Sequence, residues 1–305
     1  MRLDRRPPNP AAVTGMGRPR SRSWVKHATP YVLLAPALIL VGGVLGYGMV
    51  SGFATSLFRV EVWHVERPFV GLANYARLVR DPTFQNALSR SLVLVFATIA
   101  AGMVVSFSTA LAVNALRRGR DLLLGLFLIP FLVSGVAAAV TWRFLFIGAT
   151  GLITMALERI GITGTWLGDP TRALIVVTLA NVWFLSPLSA VILFAGLQSI
   201  DPEIYEAAVI DGARRHQTLL YVTLPLIAPV VATSLVWLTF ASFNMFDIVL
   251  PLTGGGPGRA TEVLGVYMYR LAFRDLNYSV ASAVMVILLM INVTFSAFYL
   301  RVFRV

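Results

Sequence analysis

Cysteine is absent from the 305 residues, and lysine occurs once, at Lys26. Without cysteine there is no disulfide, no thiolate metal site and no thiol nucleophile. The glycine run Gly254-Gly255-Gly256 has no lysine behind it, so a phosphate-cradling P-loop is excluded. If ATP drives this protein, another chain hydrolyses it. The three histidines, His27, His64 and His216, lie in three separate loops, and neither an H-E-x-x-H nor a G-x-S-x-G motif occurs. Carboxylates cluster only within Asp201–Asp211, where helix capping and docking explain them better than acid–base work. No enzyme activity of the chain's own is expected.

Charge is also scarce, at 13% of residues, whereas 57% are hydrophobic and the mean hydropathy is +0.78. That composition is a polytopic membrane protein's, not a soluble domain's. A net charge of +11 and a pI near 10.8 would suggest nucleic acid in a soluble protein. Here the arginines flank apolar runs, and seven of the 25 basic residues precede residue 27, so no nucleic-acid partner is expected. Residues 1–27, basic and rich in proline and glycine, cannot bury a core and read as a disordered tail. A signal peptide is the alternative. The apolar run behind the tail outlasts an h-region and lacks a small-residue cleavage site, so it reads as a retained first span.

Six apolar runs are long enough to cross about 30 Å of hydrocarbon. They are Tyr31–Phe53, Leu88–Leu116, Leu122–Ile147, Ala173–Leu197, Pro229–Leu250 and Ser279–Val302. The expected fold is therefore all-α and integral to the membrane, with residues 28–305 as one transmembrane domain. The basic tail, Arg117–Arg120, Arg214–Arg215 and Arg301/Arg304 fall on one side, which the positive-inside rule assigns to the cytoplasm, giving N-in, C-in. On the other side, Asn74–Arg80 and Pro82–Arg90 alternate at helical spacing and read as a short surface helix, and Thr253–Gly258 reads as a flexible turn.

A few polar residues interrupt the spans and need explaining, because unpaired ones are costly in hydrocarbon. In the fifth run, Phe240, Phe243, Asn244 and Asp247 share a helical face. Aromatic surface beside amide and carboxylate suits a sugar, whose C–H face stacks while its hydroxyls bond. The alternative is that Asn244 ties helices together and Asp247 sits at the interface. In the fourth run, Asn181, Trp183, Ser186, Pro187 and Ser189 break an aliphatic series, and Pro187 can kink the helix. Pro130 with Ser134-Gly135 is a second kink candidate.

The segment Asp201–Pro225 is the long polar interruption between two spans. Asp201 suits an N-cap, Pro202 the first helical position and Glu203 the positive end of the helix dipole. Ile204, Ala207, Ala208 and Asp211 share a face, and Gly212 can end the helix at positive φ before a second run from Gln217. A short helix of small residues with a sharp turn reads as a docking device.

Glu206-Ala207-Ala208, three residues, Gly212, nine residues and Val222-Thr223-Leu224-Pro225 resembles the EAA loop of importer-type ABC permeases, with Val222 where isoleucine is usual. Phe69-Val70-Gly71-Leu72-x-Asn74-Tyr75, Trp166-Leu167-x-Asp169-Pro170, Ile210-Asp211-Gly212-Ala213 and Leu252-Thr253-Gly254-Gly255-Gly256-Pro257 are similar to the carbohydrate-uptake branch, and to its first permease subunit. The resemblance implies a type I importer permease fold with six transmembrane helices in a bacterial or archaeal plasma membrane, and ATPase coupling through Glu206, Ala207, Ala208, Asp211, Gly212, Leu224 and Pro225. It implies sugar contacts at Phe243, Asn244 and Asp247, and near Trp183 and Leu188. A sugar-contacting tyrosine stands at the Leu188 position in the maltose permease subunit, so an identical pocket is not implied.

The implied partners are a second, homologous permease, two ATPase subunits that hydrolyse ATP with Mg, an extracytoplasmic solute-binding protein, a sugar-like solute and membrane lipid. Glycerol-3-phosphate or a glycerophosphodiester is the alternative cargo. An ion-coupled secondary carrier is less well supported, because inverted repeats and midplane ionisable groups are not evident.

Overall fold

The computed structural model describes residues 23–60, 66–116 and 118–303. Most of the segment read as a basic tail therefore lies outside the described residues, as do Glu61, His64, Arg117 and Arg304. The chain forms two compact units, residues 1–51 and 52–305.

In the first unit the described residues are helical: α1 (Ser23–Val41), a π-helical stretch over Gly42–Gly46, and the start of α2 (Tyr47–Leu57). Helix thus begins inside the segment read as a tail. The π stretch coincides with Gly42, Gly43 and Gly46, which lack the side chains that would resist a widened turn. Its apolar side chains, such as Leu33, Ile39 and Val50, face outward.

The second unit holds α3 (Ala73–Arg80), α4 (Pro82–Asn114), α5 (Arg120–Leu132), α6 (Gly135–Phe146), α7 (Leu152–Arg159) and α8 (Pro170–Gln198). There follow α9 (Pro202–Ile210), α10 (Arg215–Gln217), a π stretch over Thr218–Thr223, α11 (Leu224–Leu226), α12 (Ala228–Phe243), α13 (Phe246–Thr253), α14 (Leu264–Phe273) and α15 (Tyr278–Val302). Among the described residues the only strand-like pairing is an isolated bridge, Phe58 with Phe69.

Four helical runs are long and apolar enough to cross a membrane: Leu33–Leu57, α4, α8 and α15. Two bent pairs raise the number to six: α5 with α6, at 90°, and Arg215–Leu226 with α12, at 74°. These match the six apolar runs, but the third and fifth are not straight rods. The third breaks at Val133–Ser134, where the Ser134 hydroxyl accepts from the Ala137 N–H and starts a new helix. Pro130, one turn earlier, lies inside α5. The fifth is interrupted twice, at Ile227, the site of the 74° bend, and at Asn244–Met245, between α12 and α13. By contrast α8 runs unbroken through Pro187, where Leu185, Ser186, Pro187, Ser189 and Ala190 are all buried in packing that holds the helix together.

α8 is the centre of the unit, packed by α4, α5, α6, α12 and α13. Its closest partner is α4, whose Gly102, Ser106 and Ala110 recur every four residues and admit the neighbouring backbone. The Ser106 hydroxyl donates to the Ser186 carbonyl at 3.0 Å, and Ser189 pairs with Ser234 of α12 at 2.6 Å. Such small, mutually satisfied residues replace the hydrophobic driving force that is absent between helices in lipid.

Candidate functional site

The sequence-derived docking segment folds as its residues dictate. Asp201 Oδ1 accepts from the Glu203 N–H at 3.0 Å, and Pro202 opens α9. Gly212 sits at φ +74°, where a β-carbon would be strained. The Ala213 N–H reaches the Ala208 carbonyl and the Gly212 N–H the Val209 carbonyl, the two bonds of a Schellman ending.

Of the four residues expected to share a face, only Ala208 is buried; Ile204, Ala207 and Asp211 are exposed. Glu206 is exposed too, and so are Val209 and Ile210, at 71% and 85%. Val209 and Ile210 thus project an apolar surface from an otherwise polar connection. α9 is anchored on its other side. Tyr205 packs on a cluster of Ala110, Leu193, Leu197, Ile200 and Ile227, and its hydroxyl accepts a long bond from the buried Thr223. Ile227 is the residue at the 74° bend. Leu224 and Pro225 form the turn just before it. A push on α9 therefore reaches the end of α8 and the hinge of α12 through side-chain packing.

The sequence-derived solute residues are split by the break in the fifth span. Phe243 is buried against Phe295 of α15, with ring centroids 6.0 Å apart, and is a core residue here. Phe240 and Asn244 are exposed. Asn244 Nδ2 donates to the Phe240 carbonyl at 2.7 Å, closing the end of α12 and leaving the rest of the amide for another partner. Asp247 lies in the first turn of α13, against the first residue of α6, Gly135. Phe131, one turn before the other break, meets Trp237 of α12 and Phe184 of α8 at 5.8 and 5.9 Å. The breaks in the third and fifth spans thus face one another.

Trp183 is partly exposed and lies edge-on to Trp142 of α6 at 6.0 Å, which stacks on Phe146. Leu188 is half-buried. Trp142, Phe131 and Trp237 were not singled out by sequence; they lie on three helices, and no local periodicity joins them.

Beside the breaks lies a set of unsatisfied polar groups. Asn181 is fully buried, and neither its amide nor its carbonyl has a partner. Thr98 and Ser242 are likewise buried without partners. Gly102 lies against Leu238 and Ser186. Within about a turn and a half of that contact, toward the breaks, stand Thr98 on α4, Ser242 on α12 and Asn181 on α8. Polar groups left unpaired in this way are costly inside a membrane.

Beyond α13, the Gly254–Val263 loop is not the flexible turn its glycines suggest. Glu262 is 1% exposed and accepts from Arg270 at 2.6 Å, with Arg259 at 3.5 Å. Arg270 also donates to the Gly254 carbonyl, and Thr261 to the Gly256 carbonyl. Arg259 and Arg270 are thus both engaged with one carboxylate.

A family model described as "Binding-protein-dependent transport system inner membrane component" matches residues 99–304. The chain is 33% identical over 278 residues to the trehalose/maltose transport system permease protein MalF of Thermococcus litoralis, covering 90% of this chain and 93% of that one. It is 34% identical over 277 residues to the sn-glycerol-3-phosphate transport system permease protein UgpA of Yersinia pestis, covering 90% and 92%. In fold it is similar to a bacterial ABC transporter involved in the import of the acidic polysaccharide alginate, with a TM-score of 0.78 at 23% identity, covering 93% and 98%. It is similar in fold, too, to a bacterial alginate ABC transporter in complex with an alginate pentasaccharide-bound periplasmic protein, with a TM-score of 0.77 at 22% identity, covering 92% and 96%. Family match, near full-length relatives and shared fold agree: the chain belongs to the inner-membrane permease components of binding-protein-dependent ABC importers.

Proposed function

We propose that the chain is the permease subunit that carries a neutral sugar or sugar-like solute inward, with the α9 segment on the cytoplasmic side and the Gly254–Val263 loop outside. One observation carries this reading: a rigid, capped helix presents Glu206, Ala207, Val209 and Ile210 outward while Tyr205 ties it to the hinge of a broken span. A second permease completes the pathway, two ATPase subunits grip α9 and a solute-binding protein delivers cargo. Closure of the ATPases moves α9 as a rigid body, and the Ile227 bend converts that movement into a tilt of α12. Asn244, Asp247, Asn181 and the aromatic wall at Trp183 and Trp142 form this subunit's share of the solute path, with Leu188 beside them and Phe243 supporting Asn244 from behind.

The relatives named for trehalose/maltose and for sn-glycerol-3-phosphate offer two cargo classes. The charges favour the first. Arg259 and Arg270 are engaged by Glu262, and Asp247 places a carboxylate where a phosphate would have to pass. Binding of neutral di- and oligosaccharides and of glycerol-3-phosphate to the cognate solute-binding protein tests the choice. Tight binding of a neutral sugar supports this reading; exclusive binding of the phosphate ester overturns it.

A further inference from the structure

The most continuous feature outside the coupling helix and the solute path is a trough that starts on α3 and descends α15. Its upper part is lined by Leu72, Tyr75, Ala76, Val79 and Arg80. Its lower part, about 390 Å³, is lined by Tyr75, Ile287, Met290, Ile291, Thr294 and Phe295, among others. Tyr75 belongs to both, so the two parts meet.

The upper residues fall at i, i+3, i+4, i+7 and i+8 from Leu72, one face of α3 and its N-cap, and all but the half-buried Tyr75 are exposed. Leu72 and Val79 are 71% and 63% exposed. The opposite face is fixed: Leu78 is buried, and Asn74 Nδ2 donates to the Ser56 and Phe58 carbonyls at 2.7 and 3.0 Å. The outward apolar face is therefore held in place and is not a product of fraying.

The chemistry of the lining names the occupant. Every hydroxyl in the trough is already engaged: Tyr75 shares a hydrogen bond with Ser56 at 2.7 Å, and Thr294 donates to its own Met290 carbonyl at 2.7 Å. Both protons are spent, so below the arginines the trough offers a polyhydroxylated solute no hydroxyl donor and little polar surface. At the upper end the balance reverses. Arg80 lines the trough and Arg77 shares its helical turn, and neither has a carboxylate partner among the described residues. The nearby Asp81 is occupied, Oδ1 by the Thr83 N–H and Oδ2 by the Tyr267 hydroxyl, each at close range. From Val286 to Phe295, α15 offers about 14 Å of apolar surface below those arginines.

Two such cations above an apolar trough complement a phosphate head above a hydrocarbon chain. We propose that this trough binds an anionic glycerophospholipid in the leaflet on the α3 side, its phosphate on Arg80 and Arg77 and one acyl chain along α15 as far as Phe295.

The absence of cysteine makes the test direct. In an importer assembled with cysteine-free partner subunits, Met290→Cys, at a position 59% exposed, carries a single bimane fluorophore. Acyl-chain doxyl phosphatidylglycerol and doxyl phosphatidylcholine are then compared as quenchers in nanodiscs. Phosphatidylglycerol should quench at lower mole fraction, and Arg80→Gln should cut that preference about fivefold, with Arg77→Gln adding to it. Complex yield and ATPase rate report that the variants assemble. Equal quenching by the two lipids overturns the proposal. So does failure of either lipid to quench, with crosslinking of the introduced thiol to the second permease, which would make the trough a protein interface.

Discussion

Gly135 and Asp247 touch across two broken spans: a β-carbon added at Gly135 would overlap the Asp247 carboxylate. The first residue of α6 thus lies against the first turn of α13, and the two breaks are held at one level. Alanine at position 135 should lose more through overlap, about 1–3 kcal/mol, than it gains in helix propensity. Gly135→Ala is therefore expected to lower the melting temperature of the assembled complex, and Asp247→Ala in the same chain to restore much of the loss. Thermal unfolding of the two single variants and the double variant measures this coupling. Strict additivity would show that the contact carries no energy.

Asn244 closes α12 with one amide proton and leaves the rest of its amide free. Asn244→Ala should keep the complex assembled, since loss of one exposed capping bond costs about 1 kcal/mol. Uptake should nevertheless weaken or shift in preference across a sugar panel. Identical uptake kinetics for every sugar would return Asn244 to a purely structural role.

Asp81 caps α4 and accepts from the Tyr267 hydroxyl at 2.7 Å. Partial burial pushes its carboxyl up, but bonds from Tyr267 and Thr83 outweigh this and hold it below the usual range. Burial and the Asp81 carboxylate both push the Tyr267 phenol up. A depressed carboxyl stabilises the fold above its unfolded pKa of about 3.9, and that stability is lost as pH falls through the folded value. Tyr267→Phe should therefore cost roughly 1 kcal/mol near neutral pH. The deficit should shrink below about pH 4, as acid removes the same bond from the parent protein. A difference independent of pH in chemical denaturation would contradict the assignment.

Much of this was legible in the sequence where the cause is local. Asp201, Pro202 and Gly212 announce a capped helix and its turn because capping and positive φ act over a few residues, and the six apolar runs announce the spans by length alone. The break at Ser134 falls at the kink candidate Pro130 with Ser134-Gly135, whereas the break at Asn244 had no such signal. A long apolar run shows its total length but not where packing will divide it, and the proline at position 187 proved compatible with a continuous helix. The meeting of Gly135 with Asp247, of Trp142 with Trp183 and of Glu262 with Arg270 depends on tertiary structure, and no spacing encodes it. Burial of Phe243 belongs to the same class: helical periodicity placed it beside Asn244, yet the break turned it into the core against Phe295.

The central claim is that energy enters this chain through α9. ATP-driven uptake by the complete importer, reconstituted in vesicles with binding protein and solute, tests it most directly. Gly212→Val forces a branched residue to φ +74°, and Glu206→Lys reverses an exposed charge on the docking face. Both variants should insert and assemble with the second permease, because neither residue is buried, and uptake should fall at least tenfold. ATP-driven uptake at the parental rate in both would contradict the account.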